Sequence, residues 1–267
     1  MTFITEEEAI QALVAAGITG PHQSHPRRNA IGNMRALAEG DPDKTFGMPP
    51  PRYSTAEILG FMAAITGCSP DVDDLGGYDN IDPRLTVGGI VAAGRRLADE
   101  ARRGATLLIA TGHPTGLLEH HIHVAESYQS AGGKLVRPLE GERRGINGRR
   151  LEVRYTGGVG CLADGASLLH THGPGAMEVL LESEPWPDVV FADHGFAGAA
   201  IRRGIPAIAI MDINDPALAV AAAEDNDVIV IPMDDNRVPR TYEPSWRLLG
   251  QALSGTAQSA LPQAGAA

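Results

Sequence analysis

Apolar positions along the chain follow two regimes that meet near residue 104. Before it they recur at helical spacing. Thr5-x-x-Glu8 is a capping-box pattern ahead of Ala9, Ile10, Leu13 and Val14, which share one helical face. Ser54-x-x-Glu57 repeats the device before Ile58, Leu59, Phe61, Met62 and Ile65, with Gly67 as the stop. Pro42 to Pro51 contains four prolines and predicts a loop, and Thr86 to Arg103 reads as a third helix ended by Gly104.

Past Gly104 short apolar runs without alternation appear, as expected of strands covered on both faces. They are Ala105–Ala110, Lys134–Pro138, Asp188–Ala192, Ile205–Met211 and Asp227–Pro232. Helical stretches Gly116–Ser130, Phe196–Arg203 and Pro216–Ala223 separate them, and Pro216 after Asp215 has the order of an N-cap and first helical position. A more polar insert carries Asn147-Gly148, a hairpin signal. This alternation implies right-handed crossovers and an α/β fold: a mostly parallel, Rossmann-like sheet flanked by helices, with an N-terminal helical region. The expected division is a helical region over 1–104, a sheet domain with a crevice over 105–253, and a disordered tail over 254–267, rich in Ala, Gly, Gln and Pro.

Composition narrows the classes. The net charge of −11 argues against nucleic acid or an anionic membrane as partner. No apolar stretch is long enough to span a bilayer, and the acidic N-terminus is unlike a signal peptide. Cys68 and Cys161 are too few for a disulfide framework, which points to a reducing, cytoplasmic setting. A homo-oligomer is left open.

Five loops that follow apolar runs carry groups able to do chemistry, and open parallel sheets bind ligands beyond the carboxyl ends of their strands. Seven of the nine histidines lie between His113 and His194. In Thr111-Gly112-His113-Pro114-Thr115-Gly116, glycines allow close backbone approach and Thr115 can cap the helix that follows, so the helix start suits an anion such as phosphate. The loop has neither a P-loop ending nor a dinucleotide fingerprint. Ala166–Leu169 reads as a strand leading to His170-Thr171-His172-Gly173, where the two imidazoles project together to bind metal or grip phosphate, with Gly173 offering a second anion seat. In Asp193-His194-Gly195 and Asp212-Ile213-Asn214-Asp215, Asp193, Asp212 and Asn214 are candidate ligands for a hard divalent cation, Mg²⁺ first and Mn²⁺ or Zn²⁺ next. His194 or His172 is a candidate proton-transfer group beside them. Asp215 reads as a helix cap, and Asp234-Asp235-Asn236 as a solvated turn. Of His120, His121 and His123, one is expected to be partly buried; the spacing is not that of a zinc helix. His22, His25, Arg27 and Arg28 form a basic cluster that either reaches over the crevice to hold phosphate or is an ordinary surface loop.

Ala192–Ala200, Asp212–Leu218, Met233–Asn236 and Gly112–Leu117 resemble a poorly characterised group of actinobacterial proteins described as phosphatases. The resemblance spans most of the chain beyond the N-terminal helices, and it implies that these loops form the site. Neither Asp-x-Asp-x-Thr nor Cys-x₅-Arg is present, so metal-activated water is expected rather than a covalent phospho-enzyme. The expectation is a metal-dependent phosphomonoesterase of a small phosphorylated metabolite, with His113, His172 and His194 catalytic and Thr111, Gly112, Thr115, Gly116 and Gly173 on the phosphate. The alternatives are a sugar-phosphate isomerase or lyase, and a non-catalytic module that binds a phosphorylated metabolite.

Overall fold

A computed structural model of the chain describes residues 3–255, without the side chains of His22 and Gln23. Both capping boxes form. Thr5 and Glu8 start α1 (Glu6–Ala15), and Ser54 and Glu57 start α3 (Thr55–Thr66), which Gly67 ends in the left-handed conformation. Between them lie β1 (Gly20–Pro26) and α2 (Arg27–Ala38). The first hundred residues are not purely helical: β1 pairs antiparallel with β2 (Tyr78–Ile81), so the stretch holding His22 and His25 is a strand. The third expected helix, α4 (Pro83–Arg102), begins three residues early because Asp82 caps it and Pro83 fits its first position.

The second half alternates as expected, with adjusted edges. β3 (Thr106–Thr111), α5 (Pro114–Ser130) and β4 (Lys134–Leu135) come first; β4 is much shorter than its apolar run. The hairpin at Asn147-Gly148 joins β5 (Arg143–Ile146) to β6 (Arg149–Thr156), which continues antiparallel into β7 (Val159–Ala163). Then come α6 (Gly175–Leu180), β8 (Val189–Asp193), α7 (His194–Arg202), β9 (Ala207–Met211), α8 (Pro216–Ala223) and β10 (Val228–Pro232). A short 3₁₀ turn, Pro239–Tyr242, leads into α9 (Glu243–Leu253). Ser254 and Gly255 continue it as a turn, and the rest of the tail expected to be disordered lies outside the described residues.

Sheet order is β10-β9-β8-β3-β7-β6-β5, with β4 pairing the start of β3 and β7 its end. From β10 to β7 the strands run parallel; β6 and β5 are antiparallel. Strand side chains alternate between two apolar layers. Leu108, Ala110, Val190 and Ala192 face a layer with α2, α3, α6, α7 and α8. Leu107, Ile109, Val189 and Phe191 face one with α1, α4, α5 and α9. Each layer draws residues from before and after residue 104. Cys68 and Cys161 are buried and free, and no helix of the described residues is long and apolar enough to cross a membrane.

β3 decides where a ligand can sit. The chain leaves it to reach β7 on one side and β8 on the other, the switch of direction that opens a crevice at strand carboxyl ends.

Candidate active site

All five loops meet at that rim. Asp193, the last residue of β8, is fully buried and takes hydrogen bonds from the Thr111 hydroxyl and, at 2.7 Å, from the Gly112 N–H. His194 follows in the left-handed conformation at φ 43°, which turns its ring back over the strand end. Its Nδ1 lies 3.3 Å from Asp193 Oδ1, and its Nε2 lies 3.0 Å from Asp215 Oδ2 and 3.2 Å from Asp235 Oδ2. Three carboxylates thus surround one imidazole at the ends of β8, β9 and β10.

On its other side His194 meets histidine. Its ring stacks on His113 at 4.2 Å and on His172 at 4.4 Å between centroids, while His170 lies 4.0 Å from His113. Phe46 closes the cluster edge-on, 5.4 Å from His194, and is itself left-handed at φ 53°. His113 and His194 are buried, His172 is half-buried, and His170 is exposed at the mouth.

The electrostatics follow from this packing. Burial disfavours the His194 imidazolium, yet Asp215, Asp235 and Asp193 outweigh it and hold its pKa well above the usual range. Burial, reinforced by the His194 charge, lowers His113 to about 3 and His172 to about 4, so both are neutral at pH 7. Burial would raise the Asp193 carboxyl, but the His194 hydrogen bond and charge hold it well below the ordinary carboxylate range. Asp212 and Asp235 go the other way: burial raises both, and crowding among the acids adds to it.

Several expected roles change on this geometry. Thr111 and Gly112 spend their donors on Asp193, the Gly116 N–H donates to the His113 carbonyl at 3.1 Å, and the Gly173 N–H to the Thr171 hydroxyl at 3.1 Å. The anion seat expected there is therefore not a ring of free donors; those groups frame the centre. Thr115 is exposed on the rim, and α5 has no side-chain cap. Asp212 Oδ1 accepts from the Ile213 N–H at 2.6 Å, and its Oδ2 lies 3.6 Å from His25 Nε2. Asn214 Oδ1 is buried with no hydrogen-bond partner among the described residues.

Two residues read as bland belong to the cluster. Asp215 makes no side-chain cap but accepts from the Asp212 N–H at 3.2 Å and faces His194. Asp235 is not in a solvated turn; it is buried, and the Ser24 hydroxyl anchors its neighbour Asp234 at 2.6 Å. The five-loop pattern at strand ends was the signal for both. Ala166–Leu169 forms no strand, only a bridge from Leu168 to Ala163, so His170 and His172 ride on the loop after β7. The two rings still lie together, 4.9 Å apart.

Arg27 does not reach the crevice. Its buried guanidinium donates to the carbonyls of Ser69, Asp71 and Asp74 and pairs with Asp79, acting as a built-in cation for the loop before β2. His120 and His123 point away, to the Ser245 hydroxyl and Glu126. His121 is fully buried behind the site, with Nε2 at 3.9 Å from Asp193 Oδ2.

Two sets of ligand atoms lie close enough to share an ion: those of His113, His172 and His194, and those of His194, Asp215 and Asp235, each set within 4.8 Å.

A family model described as Phosphatase matches residues 4–254. A Streptomyces coelicolor protein named Phosphatase SCO2771 is 36% identical over 245 residues, covering 89% of this chain and 92% of that protein.

Proposed function

Since this chain belongs to the phosphatase family, we propose that it is a cation-dependent phosphomonoesterase of a small phosphorylated metabolite. The observation that carries the reading is the convergence of Asp193, His194, Asp215 and Asp235 from three strand ends into one buried cluster. Three acids around one imidazole suit a positive ion, burial and crowding raise the pKa of Asp235 and of nearby Asp212, and Asp235 Oδ2 has no hydrogen-bond partner among the described residues.

His194 Nε2, Asp215 and Asp235 would hold the ion, with Asp212 and Asn214 beside them. Asp193 is then not a ligand: it orients His194 from the Nδ1 side, the carboxylate–histidine arrangement that fixes a metal-binding ring. The imidazole donor shifts the expected metal from Mg²⁺ towards Mn²⁺ or Zn²⁺. A bound divalent cation supplies charge stabilisation at the phosphoryl oxygens and activates water.

The chain's own groups do the rest. Exposed His170 meets the incoming phosphate, and neutral His113 and His172 offer it N–H donors. A phosphate dianion beside His172 opposes the burial that lowers its pKa, moving the ring towards the range where it can shuttle a proton.

The test is phosphate release from p-nitrophenyl phosphate, and from a panel of phosphorylated metabolites, by chelator-stripped protein before and after Mg²⁺, Mn²⁺ or Zn²⁺ is restored. Metal-restored release is expected, with about a 100-fold loss of turnover in Asp235→Asn. Equal release with and without metal, or substrate consumption without free phosphate as an isomerase would give, sinks the reading.

A further inference from the structure

The centre offers more ligands than one ion takes, and we infer that it holds two divalent cations, the first on His194, Asp215 and Asp235 and the second on His113 and His172. The inference rests on the cation-dependent reading above and revises one part of it: His113 and His172 act on the phosphate through a second ion and no longer as direct donors or proton shuttle.

Ligand geometry is the first support. The two sets of donor atoms share His194 alone. A ring nitrogen binds one ion, and His194 turns Nδ1 to Asp193 at 3.3 Å and Nε2 to Asp215 and Asp235. Its one remaining ligand position therefore belongs on the carboxylate side. His113 and His172 are left as a pair of imidazoles stacked at 5.0 Å between centroids, and imidazole nitrogen is a common metal donor. An independent observation points the same way: His113 Nδ1 is buried without a hydrogen-bond partner among the described residues, in a side chain only 6% exposed. A buried ring nitrogen is costly to leave bare.

Charge is the second support. Asp212, Asp215 and Asp235 are each at most 2% exposed. The ion pairs of Asp215 and Asp235 among the described residues are with His194, and His25 stands near Asp212. With His194 neutral as a ligand and Asp193, Asp212, Asp215 and Asp235 all ionised around bound metal, one divalent cation leaves a net charge of −2, whereas two bring it to zero before a phosphate dianion arrives. In a buried centre that difference weighs heavily on whether the dianion can enter. The second ion also lies on the His170 side, where the centre opens to solvent, so it is the one in reach of substrate.

Donor chemistry then separates the positions. Two imidazoles favour Zn²⁺ or Mn²⁺ and have little use for Mg²⁺, whereas the carboxylate position accepts all three.

The experiment is metal stoichiometry on the chelator-stripped full chain, by equilibrium dialysis against Mn²⁺ alone and Mg²⁺ alone followed by elemental analysis. Two Mn²⁺ per chain are expected, falling to one in His172→Ala and in His113→Gln, with one Mg²⁺ at most in the unaltered protein. One Mn²⁺ per chain, unchanged by either substitution, overturns the second site and leaves the proposed function standing. No bound ion overturns both. Two ions that survive both substitutions place the second elsewhere and overturn this assignment. Circular dichroism shows whether each variant folds. Low-temperature electron paramagnetic resonance of the Mn²⁺-loaded unaltered chain needs no variant: an exchange-coupled pair supports the inference, and isolated-ion spectra overturn it.

Discussion

His194 and Phe46 are both held in a backbone region that costs a non-glycine residue about 1 kcal/mol or more, and their rings touch. Strain of this kind persists only where surrounding contacts fix it, and here Asp193 does so through His194 Nδ1. Asp193→Asn should therefore keep the fold but loosen the ring, lowering Mn²⁺ affinity by about 10- to 100-fold in calorimetric titration; unchanged affinity would mean that Asp193 is not the orienting group. Binding at His194 should also release a proton, since the imidazolium that Asp215 and Asp235 stabilise must give way to the ion. Titration in buffers of different ionisation enthalpy reads that proton directly. His113 and His172 work in the opposite sense. Their folded pKa values lie below the 6.5 of a free histidine, at about 3 and about 4. As pH falls below 6.5 the unfolded chain takes up protons that the folded chain refuses, so metal-free stability should decline across that window. His172→Gln should flatten the decline in Tm, and an unaltered slope would show that His172 is not held neutral. At this scale the sequence showed which residue types gather, because each follows an apolar run. It did not show their tasks. Asp215 hides in an Asp-Pro pattern that caps helices elsewhere, and Asp235 in a run of polar neighbours. Thr111 and Gly112 look like a phosphate loop until Asp193, more than 80 positions away, claims their donors.

The loop that carries His170 and His172 is shaped by glycines on other elements. A Cβ at Gly112 would strike the Thr171 carbonyl, one at Gly195 the His172 carbonyl, and one at Gly47 would sit 2.7 Å from Pro174. Two backbone hydrogen bonds, from the Thr171 N–H to Gly112 at 2.9 Å and from the Gly195 N–H to His172 at 3.1 Å, pin the loop there. Gly195→Ala should push it outward. Overpacking of this kind costs about 1–3 kcal/mol, so Tm should fall by several degrees with turnover at least about tenfold lower because the histidines separate. Turnover equal to the unaltered protein would mean that the loop's placement is immaterial to the chemistry. Elements governed by local rules were legible in advance: two capping boxes, the Asn147-Gly148 turn and the strand–helix alternation from Asp188 to Pro232. β7 was missed although Val159–Ala163 is a short apolar run between Gly157-Gly158 and Asp164-Gly165, the same signal that marks the other buried strands; the strand was expected at Ala166–Leu169 instead. β1 and β2 are short polar strands that form only by pairing with partners more than fifty positions away, which no local pattern announces.

For the molecule as a whole, the parallel sheet places five loops from one chain on a single rim, and the three-layer packing seals the centre beneath them. That seal sharpens every charge inside it, while the chain as a whole carries a net charge of −11. An approaching phosphate dianion meets two fields of opposite sign: a long-range repulsive one from the whole chain, and a short-range attractive one from whatever cations the carboxylates hold. Salt screens the first far more than the second, because the Debye length is about 10 Å at 0.1 M and buried charges lie outside its reach. Raising ionic strength with an inert salt should therefore increase kcat/KM for a dianionic substrate while leaving kcat nearly constant, as expected when a like-charged approach is screened. A cationic leaving group, which lowers the net negative charge of the substrate, should weaken the effect without changing its sign. If kcat/KM instead fell steeply with salt, the mouth would have to present a positive patch strong enough to reverse the field of the chain, and the substrate would be steered by side chains at the rim and not drawn in at close range by a cation centre.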